Sequence, residues 1–402
     1  MKRAIGFIAA ALLATAVPAR ADELPDAARL AQAVRSAVVS HFGLWDPARR
    51  AAFDSAWRAY SARLPELALD RDRFDVETIR LMGSLRNGHS GFSDAAFWKT
   101  RPTDAPFRLR YAEGAWVVVR SRVAALPDGT RLVAVNGASP EAFFRANRDL
   151  IVASSEQAAR RKLLDAAWAA TPPKGEARFA FDNGASLAVD AAASARIVGT
   201  PEHVRANWAA PGIVYLAIPS FDGPAFETDA VKTIEDAWSA RAVIVDVRGN
   251  GGGTTPARLM WLLATRRLPW WQESSSAPQP ARALVKGQVW PMNPHAYRGR
   301  VVIVGDEGCA SACEDFVMPL VVTHRARLVG TATAGSTGMP YFGELGEGLA
   351  IAVGSVRERF PDGKPFEGRG IALTDTVPLR IADLRRHRDA QLARALAIAE
   401  AR

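Results

Sequence analysis

A chain of 402 residues with 49% hydrophobic side chains, 23% charged side chains and a formal charge of +9 has the length of two or three domains and enough apolar content for a core in each. The charge falls to +6 once Lys2, Arg3 and Arg20 leave with an N-terminal leader, and the arginines are scattered through helical stretches, not clustered with aromatics. This distribution argues against nucleic-acid binding, and the lack of a His-Glu-x-x-His helix or a Cys/His cluster argues against a metal or organic cofactor.

The chain opens with Lys2-Arg3, an apolar run from Ala4 to Val17 and small residues at Ala19-Arg20-Ala21. This pattern reads as a secretory signal peptide at 1–21, cleaved near Ala21 to leave a periplasmic or secreted protein; an uncleaved anchor is the alternative. The run is shorter than the roughly 20 residues a stable membrane span needs. From Pro25 to about Leu85, Ala, Leu and Arg recur at helical spacing, interrupted at Trp45-Asp46-Pro47. Asn87-Gly88-His89-Ser90-Gly91 then forms a turn that carries a histidine.

Between about Phe107 and Ala191 short strands alternate with turns at Pro127-Asp128-Gly129 and Asn136-Gly137, around a helical insert from Pro140 to Ala170. From Gly212 onward, apolar strands at Ile213–Ile218, Ala242–Val247 and Val301–Val304 alternate with helical segments, which predicts an α/β core whose strands are covered on both faces. The stretch from Leu268 to Tyr297, rich in Trp, Pro and Ser, reads as a long loop or lid.

Two places in this core carry chemistry. In Gly308-Cys309-Ala310-Ser311-Ala312-Cys313-Glu314, Ser311 falls at a strand-to-helix turn, where backbone N–H groups and the helix dipole favour a developing oxyanion. A serine there is either a nucleophile or a helix cap. Cys309 and Cys313, the two cysteines of the chain, flank it at a spacing that permits a disulfide or two buried thiols. Glu314 reads as a first-turn charge favoured by the dipole. The second place is Asp246-Val247-Arg248-Gly249-Asn250-Gly251-Gly252-Gly253, whose glycines can turn N–H groups toward a bound carbonyl. It lacks both the P-loop ending and the G-x-G-x-x-G spacing of nucleotide sites.

Taken in order, residues 212–221, 246–253, 310–314 and 330–335 resemble the tail-specific or C-terminal-processing peptidase family, which includes the tricorn core protease and the interphotoreceptor retinoid-binding protein modules. The resemblance implies a crotonase-like α/β core at 201–402, a PDZ-like α+β insert at 101–200 and a helical N-terminal region at 22–100. Residues 126–137 look like the later part of a PDZ domain, without its glycine-rich carboxylate-binding loop. Ser311 takes the nucleophile's place, with oxyanion donors from Ala312 and one glycine of 251–253, Gly252 foremost. Where the Ser-Lys members carry their lysine this chain has Ser336, so another base is required. Gly88-His89-Ser90 matches the Gly-His-Ser/Thr motif of the tricorn-like branch. That match implies His89 as base, Ser90 as auxiliary serine and Glu367 as the acidic member, with Glu344, Glu347 and Glu358 as nearby alternatives.

The implied reaction is hydrolysis of peptide or unfolded-protein substrates through an acyl-enzyme. An inactive homologue that binds peptide or lipid is the rival, since the retinoid-binding modules use the same core. An α/β-hydrolase esterase is a second, and Gly308-Cys309-Ala310-Ser311 lacks the G-x-S-x-G elbow. The oligomeric state is not encoded in these features.

Overall fold

The computed structural model describes residues 26–195, 203–285, 287–346 and 348–401. The expected signal peptide at 1–21 lies outside them, as does Glu347. Among the described residues no helix is long and apolar enough to cross a membrane. They divide into two compact units. One holds residues 26–195 with Ser274–Leu284 and the described part of Gly338–Arg357; the other holds residues 203–273, the described part of Val285–Thr337 and 358–401.

In the first unit the N-terminal helices run Ala27–His41, Pro47–Ala62, Leu64–Leu67 and Arg71–Gly83. The break expected at Trp45-Asp46-Pro47 is a cap, since Asp46 accepts the Arg49 N–H at 2.8 Å and Pro47 opens the next helix. Beyond the helices, Gly91–Asp94 pairs antiparallel with Leu349–Gly354, which pairs in turn with Pro340–Gly346. Sequence order had assigned 338–357 to the C-terminal core. Their pairing with Gly91–Asp94, register Gly91↔Ala352, places them here instead.

A hairpin of Phe107–Ala112 and Ala115–Ser121 follows, then a three-stranded antiparallel sheet of Leu132–Val135, Glu176–Phe181 and Ser186–Asp190. Asn136 and Gly137 both take positive φ, at 49° and 81°, as the two-residue turn closing Val135 on Ala138 requires. The expected insert is a run of short helices, Pro140–Ala146, Glu156–Arg161 and Leu163–Ala170, with a 3₁₀ turn at Arg148–Leu150.

The second unit is built on a six-stranded sheet. Its order is Asp375–Thr376, Ala326–Gly330, Arg300–Gly305, Ala242–Asp246, Ile213–Ala217 and Arg205–Ala210; all neighbours are parallel except the last pair. Alternate residues serve opposite faces. Val243, Val245, Val301 and Ile303 pack with Phe316, Val317 and Leu320, whereas Ile244, Val302 and Val304 pack with Ala395, Ile398 and Ala399 of the helix Ala390–Glu400. Apolar strands buried on both sides are what a parallel sheet requires.

The stretch 268–297 is not a free loop. Leu268–Pro269 pairs with Val289–Trp290, and Trp271 is buried, packing on Phe360 and Phe366 while its Nε1–H donates to Asp315 at 2.9 Å. Large aromatic area drawn into the core outweighs the loop-forming composition around it.

Candidate active site

The parallel strands fix where the chemistry gathers. Registers Val304↔Asp246 and Gly305↔Gly330 place the turns after three neighbouring strands, at 247–253, 306–311 and 331–337, at one edge of the sheet. Crevices outside the C-terminal ends of parallel strands are the usual ligand sites of such sheets. Two acidic residues hold these turns. Asp306 accepts the N–H groups of Gly249 and Gly308, each at 2.8 Å, which ties the glycine turn to the serine turn. Asp246 pairs with Arg248, whose guanidinium also grips Asp389 at 2.7 Å and 3.0 Å. The Arg of the Asp-Val-Arg-Gly stretch therefore anchors the C-terminal helix to the site edge, a role its spacing in the sequence did not reveal.

Ser311 precedes the helix Ala312–Val322 with φ 55° and ψ −125°, a left-handed conformation that costs a non-glycine residue about 1–3 kcal/mol. Its hydroxyl makes no capping bond to the helix, which sets aside the reading of Ser311 as a simple cap. The Ala312 N–H, first of that helix, has no acceptor among the described residues. Gly252, at φ 96°, lies directly against the turn. A Cβ added there would stand 2.7 Å from Ala310 O, 2.9 Å from Ser311 Cβ and 3.0 Å from Ala312 N. Its own N–H donates to Asn250 Oδ1 at 2.9 Å, so in this structure Gly252 serves close approach, and its N–H is engaged within the turn.

Cys309 and Cys313 are joined in a disulfide, Cα–Cα 5.4 Å, that spans Ser311 and is buried in the core. The sequence left disulfide and free thiols open; the turn that leads into the helix Ala312–Val322 brings the two within bridging range.

Glu314 differs from expectation. It is not a solvated first-turn charge but fully buried, with Oε1 accepting the Gly335 N–H at 2.8 Å and Oε2 the Ser336 N–H at 2.9 Å. Burial pushes its pKa up to about 8. Hydrogen bonds from Thr333, Ser336 and Gly335 pull it back, and the neighbouring Glu367 pushes it further up. Glu367 is half-buried on the turn after Phe366, where Gly368 N–H donates to Gly335 O at 2.7 Å. Ser311, Glu314 and Glu367 thus belong to one unit, and Ser336 holds its backbone against Ser311, whose N–H donates to Ser336 O at 2.8 Å.

His89 and Ser90 belong to the first unit. His89 is buried, and that burial, followed by the charge of Lys162, pushes its pKa down to about 4. Lys162 Nζ donates to Val152 O at 2.8 Å, and burial pushes Asp165, beside it, up to about 6. Asn87 organises the turn: its Oδ1 accepts the His89 N–H at 3.0 Å and the Ser90 hydroxyl at 2.9 Å. Ser90 Oγ in turn accepts the Gly354 N–H at 3.0 Å, and Gly88 N–H donates to Ser154 Oγ at 2.7 Å. Ser90 therefore clips the histidine turn to the strand Leu349–Gly354. Of the alternative acids, Glu358 is buried and Glu344 lies on Pro340–Gly346 in the first unit.

Residues 212–377 match the model of peptidase family S41. No curated protein matches the chain. Among solved structures, mature CPAF is similar over 93% of this chain and 97% of its own, at 14% identity and a TM-score of 0.68. A putative peptidase from Parabacteroides merdae aligns over 93% of this chain and 97% of its own, at 13% identity and a TM-score of 0.54. The photosystem II D1 C-terminal processing protease aligns over 90% and 96%, at 16% and 0.51. At these identities the structures establish a shared fold, and the family match establishes the class. The similarity to peptidase family S41, carried by residues 212–377, makes the protein a serine-type peptidase.

Proposed function

We propose that this protein is a periplasmic endopeptidase in which Ser311 attacks the scissile carbonyl and His89 takes and returns the proton. The observation that carries the reading is Ser311 itself: a strained serine at a strand-to-helix turn, its hydroxyl withheld from capping, with Ala312 N–H and the glycine turn against it. Ala312 N–H supplies one oxyanion donor and the turn 251–253 the second, Gly252 N–H by exchanging Asn250 for the oxyanion. Ser336 occupies the place of the lysine in Ser-Lys enzymes, so the base is histidine. A base of pKa about 4 is unprotonated throughout the physiological range. Glu367 is the acidic member, and Ser90 acts by holding the turn that bears His89.

The same reading takes the six-stranded sheet with its helices as a crotonase-like core and the elements between Phe107 and Asp190 as a degenerate PDZ-like module. It treats 1–21 as the signal peptide that directs export. The burial of Trp271 counts against a Trp-lined ligand lid and so against the binding-protein alternative. Unfolded protein, peptide pools and acyl esters offered to the wild type and to Ser311→Ala test the assignment. Peptide-bond cleavage that disappears in Ser311→Ala is expected. Cleavage of esters alone, or cleavage that survives the substitution, would overturn it.

A further inference from the structure

The mechanism above leaves one buried acid beside the nucleophile without a task. Glu314 follows Ser311 by three residues in the first turn of the helix and is fully buried. Its backbone N–H donates to Ser311 O at 2.7 Å. Its carboxylate accepts from Gly335 and Ser336 at 2.8 Å and 2.9 Å, and Ser336 O accepts the Ser311 N–H at 2.8 Å. These contacts close a ring: Ser311 to Glu314 along the helix start, Glu314 to Ser336 through the side chain, Ser336 back to Ser311 through the backbone. The loop is docked again on the other side of the serine, where Ala334 N–H donates to Cys309 O at 2.9 Å.

A ring of this kind explains how the positive φ of Ser311 persists. A left-handed serine relaxes unless its surroundings over-determine it. Here the N–H and C=O of Ser311 are both bonded within the ring. The residue type fits the task, because both oxygens of the carboxyl group, protonated or not, carry lone pairs that accept an N–H, whereas an amide offers an acceptor to one and opposes the other with its own donors.

We propose that Glu314 is a positioning residue for catalysis: through the Gly335–Ser336 peptide it fixes the backbone of Ser311 in the attacking conformation. The proposal rests on Ser311 being the nucleophile. The test compares wild type, Glu314→Gln and Glu314→Ala in the full chain by three readouts. These are thermal unfolding, kcat and KM for a peptide substrate, and the second-order rate of Ser311 modification by a fluorophosphonate probe, corrected for folded fraction. Both kcat and the modification rate are expected to fall, about tenfold in Glu314→Gln and about 10²-fold in Glu314→Ala, with KM within about twofold, because misplacement of the attacking atom costs rate and not binding. Should Glu314→Ala not fold, the near-isosteric Glu314→Gln decides. Wild-type kcat and modification rate per folded molecule in Glu314→Gln, whatever its melting temperature, would reduce Glu314 to a loop anchor and overturn the proposal. A wild type unmodified at Ser311 would remove the nucleophile itself, and the proposal with it.

Discussion

Ser311 concentrates the argument at the scale of single residues. Its φ of 55° is a local cost, and such outliers cluster where geometry serves chemistry. Gly252 is the partner that makes this geometry possible, since any Cβ there meets Ala310 O at 2.7 Å and Ser311 Cβ at 2.9 Å. Gly252→Ala is therefore expected to lower kcat by about 10²-fold while the protein remains folded; turnover within threefold of wild type would show that the close approach is dispensable. Ser311 and the glycine turn were legible because motif order in the sequence points at backbone chemistry. Glu314 was not: a carboxylate in a first helical turn is ordinarily solvated, and only the fold shows that the 333–336 loop covers it. The engagement of Gly252 N–H by Asn250 was equally hidden, because an Asn two residues before a Gly is common in any turn.

At the scale of elements, the parallel strands were read correctly from their apolar runs, and their C-terminal ends explain why three distant sequence segments meet. What escaped the sequence were pairings set by distant partners. The strand Arg205–Ala210 has no apolar alternation and exists as the antiparallel edge of the sheet, with register Trp208↔Val214. Leu349–Gly354, inside the stretch expected to form the C-terminal core, is a buried strand of the other unit. The Trp-rich stretch from Leu268 looked like a loop because Pro and Ser dominate it, yet Trp271 decides its fate by entering the core. Arg248 is a tie between elements distant in sequence. It joins Asp246 at the end of a central strand to Asp389 at the start of the helix Ala390–Glu400, with a further bond to Gln391 at 3.2 Å. Arg248→Ala leaves Asp246 largely buried without its cation, and a loss of about 3 kcal/mol is expected in urea unfolding. An unchanged midpoint would show that the helix is held by its apolar face alone.

For the whole molecule, two buried titratable groups of opposite kind shape stability against pH. His89 has its folded pKa depressed from 6.5 to about 4, so its contribution is complete above about 6.5 and is lost as pH falls toward 4, by about 3 kcal/mol in all. Glu314 has its folded pKa raised from 4.5 to about 8, so its contribution is complete below about 4.5 and is lost as pH rises through 8. The wild-type protein should accordingly destabilise toward both ends of the range. His89→Gln should flatten the acid side, and Glu314→Gln the alkaline side, of a plot of unfolding midpoint against pH. Parallel curves for wild type and variants would contradict these assignments. The central claim is that Ser311 is activated by His89, and modification by a fluorophosphonate probe at neutral pH, located by mass spectrometry, tests it most directly. The account predicts adduct on Ser311 in the wild type, none in Ser311→Ala, and modification slowed by at least about 10²-fold in His89→Ala. Adduct on another residue, or an undiminished rate in His89→Ala, would contradict it.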